Sequence, residues 1–246
     1  MTREIDRSFP LELQSLVTEG QARLDASHAV ERLWAQDHRL WKPDPTDIAN
    51  RLGWLTIIEY MTDRTEELRA FAASAKKRGI RDVVLLGMGG SSLGPEVFRT
   101  TFGSSRGYPR LWVLDSTVPG WVQQVTREID PARSLFILAS KSGGTIEVMS
   151  LFAHFWELVH QTPGHQGGAQ FVAITDPGTG LEKLAVEHQF WRTFTNPPEI
   201  GGRYSVLSYF GLVPAALMGI NVARLLTRAI AMAKACRIPS PLERNP

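Results

Sequence analysis

From Arg81 onward the chain alternates short, nearly uninterrupted apolar runs with stretches of helical length, and this alternation restricts the fold more than any other feature. A strand covered on both faces reads as a continuous apolar run. When each such run is followed by a helical stretch and then another run, the strands belong to a parallel sheet wrapped by crossover helices. The runs lie at residues 82–87, 111–115, 134–139, 170–175 and 190–195. The intervals between them, such as 93–102 and 145–160, are long enough for right-handed crossovers. The expected fold class is α/β, a doubly wound five-stranded parallel sheet.

Before the sheet, apolar residues recur at helical spacing (Leu13, Leu16, Val17, then Val30, Leu33, Trp34), which predicts a helical segment over 1–79. Asp44-Pro45 is expected to start a helix, Asp63 with Glu66 to form a capping-box pair, and Gly79 to stop the helix before the first strand. After the sheet, 204–235 is helix-compatible, with a break near Gly219 and Asn221 as the cap of a second helix. The sheet domain is therefore placed at 80–236, and the proline-rich residues 237–246 are expected to form a linker-like tail.

With 43% hydrophobic and 21% charged residues, disordered and collagen-like classes drop out. Lys plus Arg number 27 against 25 Asp plus Glu, so no polyanion-binding surface is expected, and without a helix-turn-helix pattern or basic arm neither is a nucleic-acid partner. Cys236 is the single cysteine and no Cys/His cluster has zinc-site spacing, so neither an internal disulfide nor a metal is expected, and the reducing cytoplasm is the expected compartment. Arg3, Glu4, Asp6 and Arg7 interrupt any leader-like apolar run, and no segment reaches about 18 apolar residues, so neither secretion nor a membrane span is expected.

Two loops carry the chemistry. Gly87-Met88-Gly89-Gly90-Ser91-Ser92 follows the first strand and opens a helix, where glycines admit a ligand close to the backbone and helix amides favour an anion. Taken alone, it reads nearly as well as a tight turn with capping serines. Ser140-Lys141-Ser142-Gly143-Gly144-Thr145 follows the third strand in the same way, and a capped helix explains one of its hydroxyls but not three around a lysine and two glycines. Phosphate binding is the better reading, through Ser140, Lys141, Ser142 and Thr145. A dinucleotide fingerprint fails, because Ser92 holds its third glycine position and Asp115 lies 28 residues beyond Gly87 where about 20 is required. No Gly-Lys-Ser/Thr supplies a Walker loop. Gly201-Gly202-Arg203-Tyr204-Ser205 places a guanidinium where it can stabilise negative charge developing on an oxygen.

In order along the chain, residues 86–95, 140–147 and 201–205 resemble three motifs of the glucose-6-phosphate isomerase family. Leu114-Asp115-Ser116-Thr117 and residues 209–219 further resemble the isomerase module fused behind a transaldolase in some bacteria. The resemblance implies a sugar isomerase (SIS) fold that interconverts an aldose and a ketose phosphate in glycolysis and gluconeogenesis without a cofactor. Carried over by motif, Ser140, Lys141, Ser142 and Thr145 hold the phosphate of a hexose 6-phosphate, Gly90 and Ser91 line the sugar site, and Arg203 stabilises the enediolate. In the family the base is a glutamate in a Gln-x-x-x-Glu-Ser-like motif of a second SIS domain, and no counterpart occurs here. Glu96 and Glu147 each sit in a first helical turn, where an acid complements the dipole, and the six histidines share no motif. The resemblance thus implies an incomplete enzyme that needs a second SIS domain or a homo-oligomer. A non-catalytic sugar-phosphate sensor is the alternative.

Overall fold

The computed structural model describes residues 10–238 and 245, with the backbone alone for Leu11 and Glu12. Five strands form one sheet: β1 (Asp82–Gly87), β2 (Arg110–Leu114), β3 (Ser134–Ala139), β4 (Phe171–Thr175) and β5 (Arg192–Thr195). Ten α-helices accompany them among the described residues: α1 (Leu11–Ala26), α2 (Ala29–Trp34), α3 (Ile57–Thr62), α4 (Thr65–Lys77), α5 (Leu93–Phe102), α6 (Pro119–Glu128), α7 (Ile146–His160), α8 (Gly180–Glu187), α9 (Tyr209–Leu217) and α10 (Val222–Cys236). All strand pairs are parallel, in the order β2-β1-β3-β4-β5. The chain leaves β1 toward β2 and returns on the other side of β1 to β3, so the sheet is doubly wound with its switch point between β1 and β3.

Every residue of β1, β3 and β4 is buried, the expected consequence of helices on both faces. Val84, Leu86, Phe136, Leu138, Phe171 and Ala173 point to one face, where Val125 of α6, Phe152 and Phe155 of α7 and Leu181 of α8 complete the core. The alternate residues face the other layer. There Phe71 of α4 meets Phe194 of β5 with ring centroids 5.0 Å apart, and Phe194 meets Tyr209 of α9 at 5.2 Å. Burial and its hydrogen bond to Glu67 push the Tyr209 phenol well above its usual range.

The chain forms two compact units, one of residues 50–227 and one of 1–49 with 228–246. Within the smaller, Trp34 Nε1 donates to the Cys236 carbonyl at 3.0 Å and the Arg237 guanidinium lies 4.4 Å from the Trp34 ring centre. The helical segment expected over 1–79 is divided between the units, because α3 and α4 bury Met61, Leu68 and Phe71 in the larger one. Of the expected tail, only Arg237, Ile238 and Asn245 lie within the described residues.

Two expected helix starts differ. Asp44 accepts from the Thr46 amide at 3.0 Å and its hydroxyl at 2.8 Å, but only a turn and the short 3-10 helix Ala49–Arg51 follow, since Asp47 adopts a left-handed φ of 62° that stops propagation of an α-helix. Asp63 makes no capping bond to α4, whose cap residue is Arg64, and Glu66 instead pairs with Arg69 at 2.6 Å. Gly79 (φ 75°) ends that helical stretch as expected, and the Asn221 side chain caps α10 by accepting from the Arg224 amide at 2.9 Å.

Candidate functional site

Parallel strands end on the same side, so the loops after β1 and β3 emerge together. Gly87 pairs in register with Ala139, and a Cβ on Gly87 would sit 3.3 Å from the Ala139 side chain. The two glycine-rich loops therefore flank the switch point, where open α/β sheets bind ligands.

The loop after β3 is organised from within. Ser140 is buried, and its hydroxyl lies 2.8 Å from the Thr145 hydroxyl while accepting from the Gly143 amide at 3.1 Å. Gly143 is left-handed at φ 71°, and a Cβ there would come within 2.5 Å of Thr179 Cβ, so the loop lies directly on the start of α8. Thr145 precedes α7 but its side chain makes no capping bond to it, so the Thr145 hydroxyl does not occupy the first-turn amides of this 15-residue helix. Ser142 is exposed and Thr145 half-exposed.

Lys141 is directed elsewhere. Its ammonium bonds Asp176, the residue after β4, and donates to the Pro198 carbonyl at 2.7 Å, beyond β5. Asp176 Oδ1 and the Oδ1 of Asn196, the residue after β5, are buried acceptors with no hydrogen-bond donor among the described residues. Burial pushes the Asp176 carboxyl above its ordinary value, against the opposing pull of Lys141.

After β1, Gly89–Ser91 form a 3-10 turn into α5, and Ser92 turns its hydroxyl back to the Gly89 carbonyl at 3.0 Å, leaving α5 without a side-chain cap. Gly90 is pressed against the third motif: a Cβ on it would lie 2.3 Å from the Gly202 carbonyl. Ser205 locks this contact by donating to the Gly90 and Gly202 carbonyls at 2.9 and 2.7 Å. Arg203, in the 3-10 turn Gly202–Leu207, is thereby carried to the end of β1 with its side chain exposed. Tyr204 stacks on Trp54 with centroids 5.5 Å apart, and Gly53 donates to the Glu199 carbonyl at 3.0 Å, bracing the same edge.

Of the residues expected at the site, Gly90 and Ser91 lie on the loop after β1, Ser140, Lys141, Ser142 and Thr145 on the loop after β3, and Arg203 is pinned against the first. Glu96 is paired with Arg99 at 2.7 Å. The histidines do not join the group: His160 and His188 pack on Trp156, at 4.2 and 4.5 Å between centroids, near the far ends of α7 and α8. Sequence reasoning missed Asp176, Asn196 and Thr179, and it gave Ser205, a member of the third motif, no role of its own. Asp176-Pro177-Gly178-Thr179-Gly180 carried a usable signal, a polar loop between a strand and a helix with a capping threonine that accepts from Glu182 at 3.3 Å.

Residues 26–246 match the family model described as phosphoglucose isomerase. The glucose-6-phosphate isomerase of Carboxydothermus hydrogenoformans is 33% identical over 194 residues, covering 75% of this chain and 42% of that protein. The glucose-6-phosphate isomerase of Thermus thermophilus is 33% identical over 178 residues, covering 72% and 42%. The chain thus spans well under half the length of these relatives. A hypothetical protein from Thermus thermophilus superposes with a TM-score of 0.77 at 29% identity, over 95% of this chain and 53% of that one. A glucose-6-phosphate isomerase from Chlamydia trachomatis superposes with a TM-score of 0.66 at 25% identity, over 86% and 39%. The paired glycine-rich loops at the switch point, the turn that brings Arg203 to them and these matches agree, and the chain belongs to the phosphoglucose isomerase family.

Proposed function

We propose that this chain is the sugar-phosphate-binding portion of a glucose-6-phosphate isomerase that interconverts glucose 6-phosphate and fructose 6-phosphate in a cytoplasmic setting. One observation carries the reading: two glycine-rich loops leave adjacent strand ends, each opening a helix whose first-turn amides lack a side-chain cap. Such amides, with the helix dipole behind them, stabilise a phosphate dianion. Ser142 and Thr145 supply hydroxyl donors to the phosphate, Gly90 and Ser91 line the sugar beside it, and buried Ser140 shapes the loop.

Aldose–ketose exchange removes the C2 proton, passes through an enediolate and returns a proton to C1. Arg203 is suited to stabilise the enediolate oxygen, its exposed side chain making no hydrogen bond or ion pair among the described residues. The proton itself needs a carboxylate within hydrogen-bond reach. No sequence counterpart of the family's glutamate motif lies within these residues, so the reading assigns that step to a second SIS domain. A sensor needs only the seat, but the named relatives are isomerases, which favours the enzymatic reading. The test is calorimetric titration with fructose 6-phosphate. Binding by the parent chain and a loss of about tenfold or more in a Ser142→Ala/Thr145→Ala variant support the seat, and equal affinities refute it.

A further inference from the structure

The Lys141 contacts assign a function to a residue outside the three motifs. Each strand from β3 to β5 is followed within two residues by a member of one polar cluster: Lys141 after β3, Asp176 after β4 and Asn196 after β5. The ammonium of Lys141 spans all three strand ends, bonding the Asp176 carboxylate and the Pro198 carbonyl at 2.7 Å. The same junction is tied by the Ser140 amide donating to the Ile174 carbonyl at 3.0 Å, and by Gly143 resting on Thr179, whose hydroxyl lies 2.8 Å from that of Thr175. The loop after β3 is thereby clamped to the ends of β4 and β5 on one side while its other side, with Ser142, faces outward.

We propose that Asp176 is a positioning residue for phosphate binding: it holds Lys141 as a strut that fixes the Ser140–Thr145 loop, so that the anion meets hydroxyls and backbone amides while the ammonium acts through the loop and not as a ligand. This rests on that loop being the phosphate seat. A strut and a sequestered ligand give opposite signs in one experiment. Removing the Asp176 carboxylate deletes a negative charge near the anion and frees an ammonium, which by Coulomb's law alone tightens phosphate binding. Loss of a strut loosens it.

Inorganic phosphate is titrated into the 246-residue parent chain and into Asp176→Ala, Asp176→Asn, Lys141→Met and the Lys141→Met/Asp176→Ala double variant. The expected result is affinity lowered about tenfold in Asp176→Ala, as for loss of a charged hydrogen bond. Asp176→Asn, whose amide oxygen still accepts from Lys141, should fall between Asp176→Ala and the parent. The double variant should be no weaker than either single change, since both break one strut. Equal or tighter binding by Asp176→Ala overturns the strut while leaving the seat intact. If that variant does not fold, Asp176→Asn carries the same comparison, weaker binding supporting the strut and equal or tighter binding overturning it. A parent chain that binds no phosphate removes the seat and the strut together.

Discussion

Ser140 shows how much of this site depends on single atoms. Its hydroxyl is the acceptor for Gly143 and the partner of Thr145, in a residue only 3% exposed. Ser140→Ala is expected to weaken fructose 6-phosphate binding although the hydroxyl is turned into the loop, and to cost about 1–3 kcal/mol of stability by stranding buried polar groups, as urea unfolding would read. Gly143→Ala combines a left-handed φ of 71° with a Cβ 2.5 Å from Thr179. Its expected effect is a destabilisation of about 1–3 kcal/mol together with loss of binding, and a variant as stable as the parent would contradict the loop geometry described above. Sequence alone shows the residue types that bind an anion, because serine, threonine and glycine advertise donors and backbone freedom. It does not show where Lys141 points, since Asp176 lies 35 residues away and meets it only because β3 and β4 are neighbours.

At the scale of elements, the strands were the most legible part: full burial of β1 and β3 follows from runs such as Val-Val-Leu-Leu and Leu-Phe-Ile-Leu. The helix starts at Asp44 and Asp63 were misread for local reasons: the left-handed Asp47 halts propagation after Asp44, and Asp63 closes α3 while α4 starts one residue later, from Arg64. Every residue of α9 is buried within this chain, so Phe210, Leu212, Val213 and Leu217 form no open face awaiting a partner. Gly211 permits this packing, as a Cβ there would lie 2.0 Å from the Val206 carbonyl oxygen. Phe210→Ala is expected to destabilise the chain by about 3–5 kcal/mol. A loss below about 1 kcal/mol in denaturant melts would mean that α9 is not the core element described.

For the whole molecule, the division of labour is the central proposal: on it, this chain would seat a sugar phosphate and polarise its reacting oxygen, with the proton acceptor supplied by a second SIS domain. The carboxylates adjoining the loops do not contradict this: Glu96 is paired with Arg99 at 2.7 Å, Glu147 lies in the first turn of α7, and Asp176 is bonded to Lys141. Loss of a general base commonly removes about 100-fold to 10,000-fold of rate. The fold was legible from periodicity and the proposed seat from motifs, whereas no motif in this sequence points to a base, because no counterpart of the family's glutamate motif occurs in it. The most direct measurement is a coupled assay of glucose 6-phosphate isomerisation by the purified 246-residue chain, alone and with a separately expressed SIS domain carrying the glutamate motif. The predicted result is background turnover alone and a rise on addition. Robust turnover by the chain alone, abolished by Glu147→Gln or Glu96→Gln, would contradict it.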